Sequence, residues 1–131
     1  MTILAAGNYV RCLRRLRHFA EAKSLLRKMA PVARRVFGEG NEITLRMRWN
    51  YGQTVKQDPA ATLDDLHEAV TMLEETRRIA RRVLGGAHPF AAEIEKSLQG
   101  LRAALDAREA LEPGDVTSIR EAMGAMAPGD A

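Results

Sequence analysis

Ala33-Arg34-Arg35-Val36-Phe37-Gly38 and Ala80-Arg81-Arg82-Val83-Leu84-Gly85 are one phrase written twice, forty-seven positions apart, with Leu in place of Phe. Self-similarity at a fixed period marks a repeat architecture and decides the fold before any single element is read. Working outward at the same spacing, Phe19-Ala20-Glu21-Ala22 lies over Leu66-His67-Glu68-Ala69, and Leu25-Leu26 over Met72-Leu73. Further upstream, Asn8-Tyr9 matches Asn50-Tyr51 at forty-two positions instead. Five residues are therefore inserted within the second unit, and Asp58-Pro59-Ala60-Ala61-Thr62 is where they fit. Loops absorb insertions at little entropic cost, whereas stacked helices do not. The unit is a pair of elements, and the variable part is the joint between them.

Both elements read as helices. Leu66, Ala69, Val70, Leu73, Ile79, Ala80 and Val83 recur at three- and four-residue steps, the spacing of one buried helical stripe. Asn41 suits an N-cap, Thr62 with Asp65 a capping box, and Pro89 a first helical turn. Gly38 and Gly85 follow the last periodic residue, where a left-handed C′ position costs glycine little. The spacing predicts helices over about residues 2–16, 20–36, 42–57, 63–84 and 89–109. A short sixth helix is expected from Asp115 to Met126, after the break at Glu112-Pro113-Gly114. No alternating segment is bounded by hairpin turns, so the chain is expected to be all-α.

A length of 131 residues suits one domain with apolar content ample for a core. No stretch approaches the roughly twenty apolar residues of a membrane span, and residues 1–10 lack a signal peptide's apolar run. Cys12 is the single cysteine, which excludes an intramolecular disulfide and points to a reducing, cytoplasmic setting. The net charge of +3 hides an asymmetry. Residues 1–48 hold eleven Lys and Arg against three Glu, or +8; residues 49–131 hold nine against fourteen acidic residues, or −5. A basic half suits acidic peptides, anionic surfaces or nucleic acid.

The doubled phrase and its matched Glu-Ala pairs resemble the tetratricopeptide repeat in its longer, kinesin-light-chain-like form. Arg17-His18-Phe19-Ala20-Glu21-Ala22 fits the family's turn, with arginine where glycine is usual. Arg81-Arg82-Val83-Leu84-Gly85-Gly86-Ala87-His88-Pro89 fits its helix end and next helix start, while the first copy, Phe37-Gly38-Glu39-Gly40-Asn41-Glu42, has lost His-Pro. The resemblance covers about residues 5–105 and implies antiparallel helix pairs stacked as a short right-handed superhelical α-solenoid. Repeat 1 would occupy about residues 2–38, repeat 2 about 42–85, and a capping helix about 89–109, with a tail over 110–131. Ile94, Leu98, Leu101 and Leu105 give that fifth helix a stripe to lay over the second pair. Thr2-Ile3-Leu4-Ala5-Ala6 has no polar outer face, so either a longer array or self-association through the N-terminal helix is expected there.

In such arrays the first helix of each pair lines a concave groove that takes a partner. The resemblance places Asn8 and Asn50 at the family's first-helix asparagine, and Arg11, Arg15, Arg46 and Gln53 lie at helical steps from them. An amide donates and accepts together, which suits a peptide backbone. The expected ligand is an extended or helical peptide carrying acidic residues, bound by an adaptor or scaffold. The alternative is an Arg-rich binder of nucleic acid or an anionic surface, against which stands the lack of interleaved aromatics or a recognition-helix motif.

Other candidates yield to plainer readings. Asp64, His67 and Glu68 share a helix face, yet acidic residues at a helix start favour the dipole without any metal. His88 reads as a cap. Trp49 and Tyr51 fall on opposite faces, so one belongs to the core. Glu74 and Glu75 with Arg77, Arg78, Arg81 and Arg82 read as pairs along one solvated helix. In the doubled phrase, alanine and valine are expected to pack while the arginines face water. No phosphate loop, Ser/His/Asp set or Cys/His metal spacing is present. The chain is expected to be a non-enzyme with no metal and no cofactor.

Overall fold

The computed structural model describes residues 2–111. Five helices follow one another: α1 Ile3–Arg15, α2 Phe19–Phe37, α3 Glu42–Gln57, α4 Leu63–Leu84 and α5 Pro89–Glu109. Their ends fall within one residue of the spans that the periodicity predicts. No strand occurs among the described residues, and the expected helix Asp115–Met126 lies outside them. Each helix packs on the next, and α3 additionally packs on α1 and on α5. The fold is an all-α solenoid, with α1, α3 and α5 along one side and α2 and α4 along the other.

The caps are those the sequence calls for. The Thr2 hydroxyl accepts from the Ala5 N–H at 3.1 Å and the Asn41 amide oxygen from the Ile43 N–H at 2.8 Å. Thr62 and Asp65 exchange both bonds of a capping box, at 3.0 and 3.2 Å. His88 Nδ1 accepts from the Phe90 N–H at 3.0 Å, with Pro89 in the first turn. The two interpair turns prove equivalent despite the lost His-Pro. In each, a glycine carbonyl accepts from the N–H three residues on, Gly38 from Asn41 and Gly85 from His88, and that residue caps the next helix.

Two expectations about the doubled phrase need correction. Gly38 and Gly85 do have positive φ, 92° and 88°, but their ψ of 162° and 151° is extended, not left-handed helical. That region is essentially closed to residues with a Cβ, so the glycine requirement is stricter than a left-handed cap demands. Ala33 and Ala80 are buried, but Val36 is 63% exposed and Val83 49%. The valines stand in the final turn, where little of the neighbouring helix reaches. The non-glycine residue in the left-handed region is Arg17, φ 62°, at the α1–α2 joint. There His18 N–H bonds Leu13 O and Arg17 N–H bonds Arg14 O, closing α1 as a Schellman motif.

One apolar cluster runs through Val10, Leu26, Tyr51, Val55, Leu73 and Leu98, and a second joins Leu45, Ile79, Phe90 and Ile94. Charged side chains then tie the helices together. Lys23 on α2 reaches Asp58 at 3.0 Å and Asp65 at 3.1 Å, and Arg27 reaches Asp65 and Glu68 on α4. The α4 charges are not the intrahelical pairs their spacing suggests. Glu74 pairs with Arg102 at 2.6 Å, Glu75 with Arg48, and Arg77 and Arg81 with Glu95. Three cations of the basic first half, Lys23, Arg27 and Arg48, are thus held by acids of the second half.

Gly52 is required by contact. A Cβ there would lie 2.7 Å from Leu73 Cδ1, and Leu73 is fully enclosed. Gly52→Ala is expected to cost about 1–3 kcal/mol in urea denaturation. Gly7→Ala, which meets nothing within 4 Å, should instead gain up to about 1 kcal/mol from helix propensity.

Burial opposes ionisation of Asp65, but hydrogen bonds from Thr62 and the pairing with Lys23 outweigh it and hold the carboxyl below its ordinary value. A depressed carboxylate stabilises the fold above its unfolded pKa of about 3.9, and that stabilisation is lost as pH falls through the folded value. Denaturation midpoints measured across this acid range should fall more steeply for wild type than for Asp65→Asn.

Candidate functional site

Where α1 and α3 lie side by side they enclose a cleft of about 670 Å³. Helical spacing builds both walls. From α1 come Ile3, Leu4, Gly7, Asn8, Arg11 and Arg14; from α3 come Ile43, Arg46, Met47, Trp49 and Asn50. Apolar side chains thus alternate with amides and guanidiniums. The glycine at position 7 leaves the α1 wall without a side chain at mid-height.

The two asparagines hold the cations. Asn8 Oδ1 accepts from Arg11 Nη2 at 2.8 Å, and Asn50 Oδ1 accepts from Arg14 Nη1 at 3.2 Å across the cleft. Burial, and then the neighbouring Arg11 charge, push the Arg14 guanidinium below its ordinary value. It still carries its proton at neutral pH. Neither Arg11 nor Arg14 forms an ion pair among the described residues, and α1 contains no acidic residue. Arg46 differs: it is paired with Glu42 at 2.9 Å and lies 4.2 Å from the Phe90 ring centroid. Phe90 meets Trp49 edge-on at 5.9 Å. The cleft therefore presents two adjacent, uncompensated guanidiniums beside an aromatic and aliphatic wall.

Of the six residues expected in the groove, Asn8, Arg11, Arg46 and Asn50 line this cleft. Arg15 does not: it is exposed at the end of α1, and Arg14 takes the place expected of it. Gln53 is turned away, its Oε1 accepting from Ser97 Oγ at 2.7 Å on α5. Ser97 Oγ in turn accepts from Trp49 Nε1 at 3.0 Å, so Gln53 and Trp49 are joined through α5. Sequence reasoning missed Arg14 because the three-step from Arg11 and the four-step to Arg15 are equally helical. Only the position of α3 chooses between them.

Tyr51 is the aromatic that belongs to the core. Its hydroxyl donates to Glu68 and accepts from Arg27 Nη2 at 2.9 Å. Burial, with the Glu68 carboxylate beside it, drives its pKa far above the ordinary phenol value. Glu68 is thereby engaged with α2 and α3, while His67 faces Glu109 at 3.7 Å. Among the described residues no three His, Cys, Asp or Glu side chains are grouped to hold a metal, and no helix is long and apolar enough to cross a membrane.

Residues 61–90 match the family model described as tetratricopeptide repeat. The match runs from the joint before α4, through the whole of α4, into the first turn of α5. No curated protein and no solved structure matches the chain. Together with the stacked helix pairs, the match supports a tetratricopeptide repeat in this protein, and with it a module for protein–protein interaction at the general level.

Proposed function

We propose that the α1–α3 cleft binds an acidic segment of a partner protein and that the chain serves as an adaptor or scaffold. The observation that carries this reading is the Arg11–Arg14 pair, two guanidiniums oriented by Asn8 and Asn50 with no carboxylate to neutralise them. A ligand carboxylate there would relieve their repulsion and gain charge-assisted bonds. The wall of Leu4, Ile43, Met47 and Trp49 suits an adjacent apolar side chain. We read the repeat as kinesin-light-chain-like on the phrase Arg81–Pro89, with units at about 2–38 and 42–85 and a closing helix at 89–109. A binding role in the cytoplasm, without catalysis, accords with these features. Nucleic acid is the weaker reading, because the basic half lacks interleaved aromatics and three of its eleven cations, Lys23, Arg27 and Arg48, are held by Asp58, Asp65, Glu68 and Glu75.

The test uses fluorescein-labelled peptides that alternate Glu or Asp with Leu or Phe, together with matched Lys-for-Glu controls. Anisotropy reports binding, and Trp49, the single tryptophan, reports occupancy of the cleft. Acidic peptides are expected to bind and to shift the Trp49 emission. Arg11→Glu with Arg14→Glu should weaken them by roughly ten- to a hundredfold, the equivalent of about 1.5–3 kcal/mol for lost charged hydrogen bonds. Unchanged affinity in that variant, or equal binding of the Lys controls, would overturn the proposal.

A further inference from the structure

Helix α1 carries a second apolar stripe that the cleft does not use. Ala6, Val10 and Leu13 are buried. Ala5, Tyr9, Cys12 and Leu16 follow the same three- and four-residue steps one residue out of register, about 100° round the helix, with Thr2 before them. All five are exposed, Tyr9 by 46% and Leu16 by 65%.

The internal repeat shows what such a stripe accommodates. At the spacing that lays Asn8-Tyr9 over Asn50-Tyr51, the residues Thr2, Ala5, Tyr9 and Cys12 fall on Thr44, Met47, Tyr51 and Thr54. All four of these are buried, none more than 3% exposed. On α3, α2 covers Thr44 and Tyr51, while Met47 faces the cleft with α1. Thr44 Oγ donates to Ala33 O at 3.1 Å, and the Arg27 guanidinium lies 5.5 Å from the Tyr51 ring centroid. No described helix stands to α1 as α2 stands to α3. The stripe is shaped for a helix in that register.

Charge narrows the occupant. Residues 2–20 contain Arg11, Arg14, Arg15 and Arg17 and no Asp or Glu, a charge of +4, so a second α1 is repelled. Residues 112–131 carry Glu112, Asp115, Glu121 and Asp130 against Arg120, a charge of −3. Within them Val116, Ile119, Met123 and Met126 recur at three- and four-residue steps. The outward face of α5 offers this segment only alanines as apolar support, Ala92, Ala103 and Ala107 standing exposed among Glu93, Lys96, Gln99 and Asp106. The α1 of the same copy is too far for a three-residue connection. Helix α3 separates α1 from α5, a distance of two helix spacings at about 8–10 Å each. Residues 112–114 span about 10 Å.

We propose that residues 115–126 of one copy dock as a helix on the Ala5–Leu16 stripe of α1 in a second copy, joining copies head to tail. Such a contact is heterologous, so it propagates into rings or filaments instead of stopping at a dimer. Its ionic rim weakens as salt rises. It uses a face of α1 separate from the cleft and stands whether or not the cleft binds acidic peptides.

Sedimentation velocity on the full chain tests this by complementation. Wild type is expected to show mass rising with concentration and falling with salt. Tyr9→Glu removes the receiving stripe, and Ile119→Asp with Met123→Asp removes the docking segment. Each variant alone should be monomeric with unchanged helical circular dichroism, and Leu16→Glu replaces Tyr9→Glu if the latter unfolds. An equimolar mixture of the two variants retains one intact junction and should form a dimer that grows no further. Wild type that stays monomeric at every concentration overturns the proposal, as does a mixture that fails to pair. Association that survives the tail substitutions but not Tyr9→Glu identifies symmetric α1 pairing and removes the tail as occupant.

Discussion

Helix α3 is in contact with all four other helices, and the structure depends on how its surface is enclosed. Tyr51 sits at the centre of that enclosure, its ring buried and its hydroxyl held between Arg27 of α2 and Glu68 of α4. One residue on, Gly52 lets Leu73 of α4 approach the backbone directly. Opposite, the amide of Asn50 faces α1, and the indole of Trp49 reaches α5 through Ser97. Four consecutive residues therefore address four different neighbours. That requires a helix, because 100° per residue turns a short run of sequence through a full circle.

Much of the fold was legible in the sequence. The repeat, the capping residues and the apolar period each depend on neighbours within a few positions, and helix ends follow from such local chemistry. What failed depended on the neighbouring helix. Val36 and Val83 lie close to the buried stripe by angle, but the stripe says nothing about how far along a helix its partner extends. Glu74, Glu75, Arg77 and Arg81 look like intrahelical partners because nothing local shows that α3 and α5 offer better ones. The same limit separates Arg14 from Arg15 and sends Gln53 to Ser97. Periodicity gives a side chain's direction; what stands in that direction is tertiary information.

The charge asymmetry shows both levels together. Counted along the chain, +8 followed by −5 suggests an external anion. In three dimensions part of that contrast is internal, with Lys23, Arg27 and Arg48 placed against acidic residues of the connection and of α4. The functional signal is the remainder left after this cancellation. The part of it that lines a cleft lies on α1, the helix without acids, whose Arg11 and Arg14 are oriented by amides instead of being neutralised by carboxylates.

The two interpair turns have a practical meaning for construction. Each route is set by one glycine in a main-chain conformation reserved to it and by one acceptor, Asn41 in the first and His88 in the second. The two residues between these anchors differ, Glu39-Gly40 against Gly86-Ala87, and the turn is the same. The joint thus behaves as a standard coupling whose end fittings are fixed and whose middle varies among small residues where it is close, as at Gly40 beside Val83. A further helix pair spliced in at such a coupling would inherit its path without redesign, which makes the length of the array an adjustable quantity.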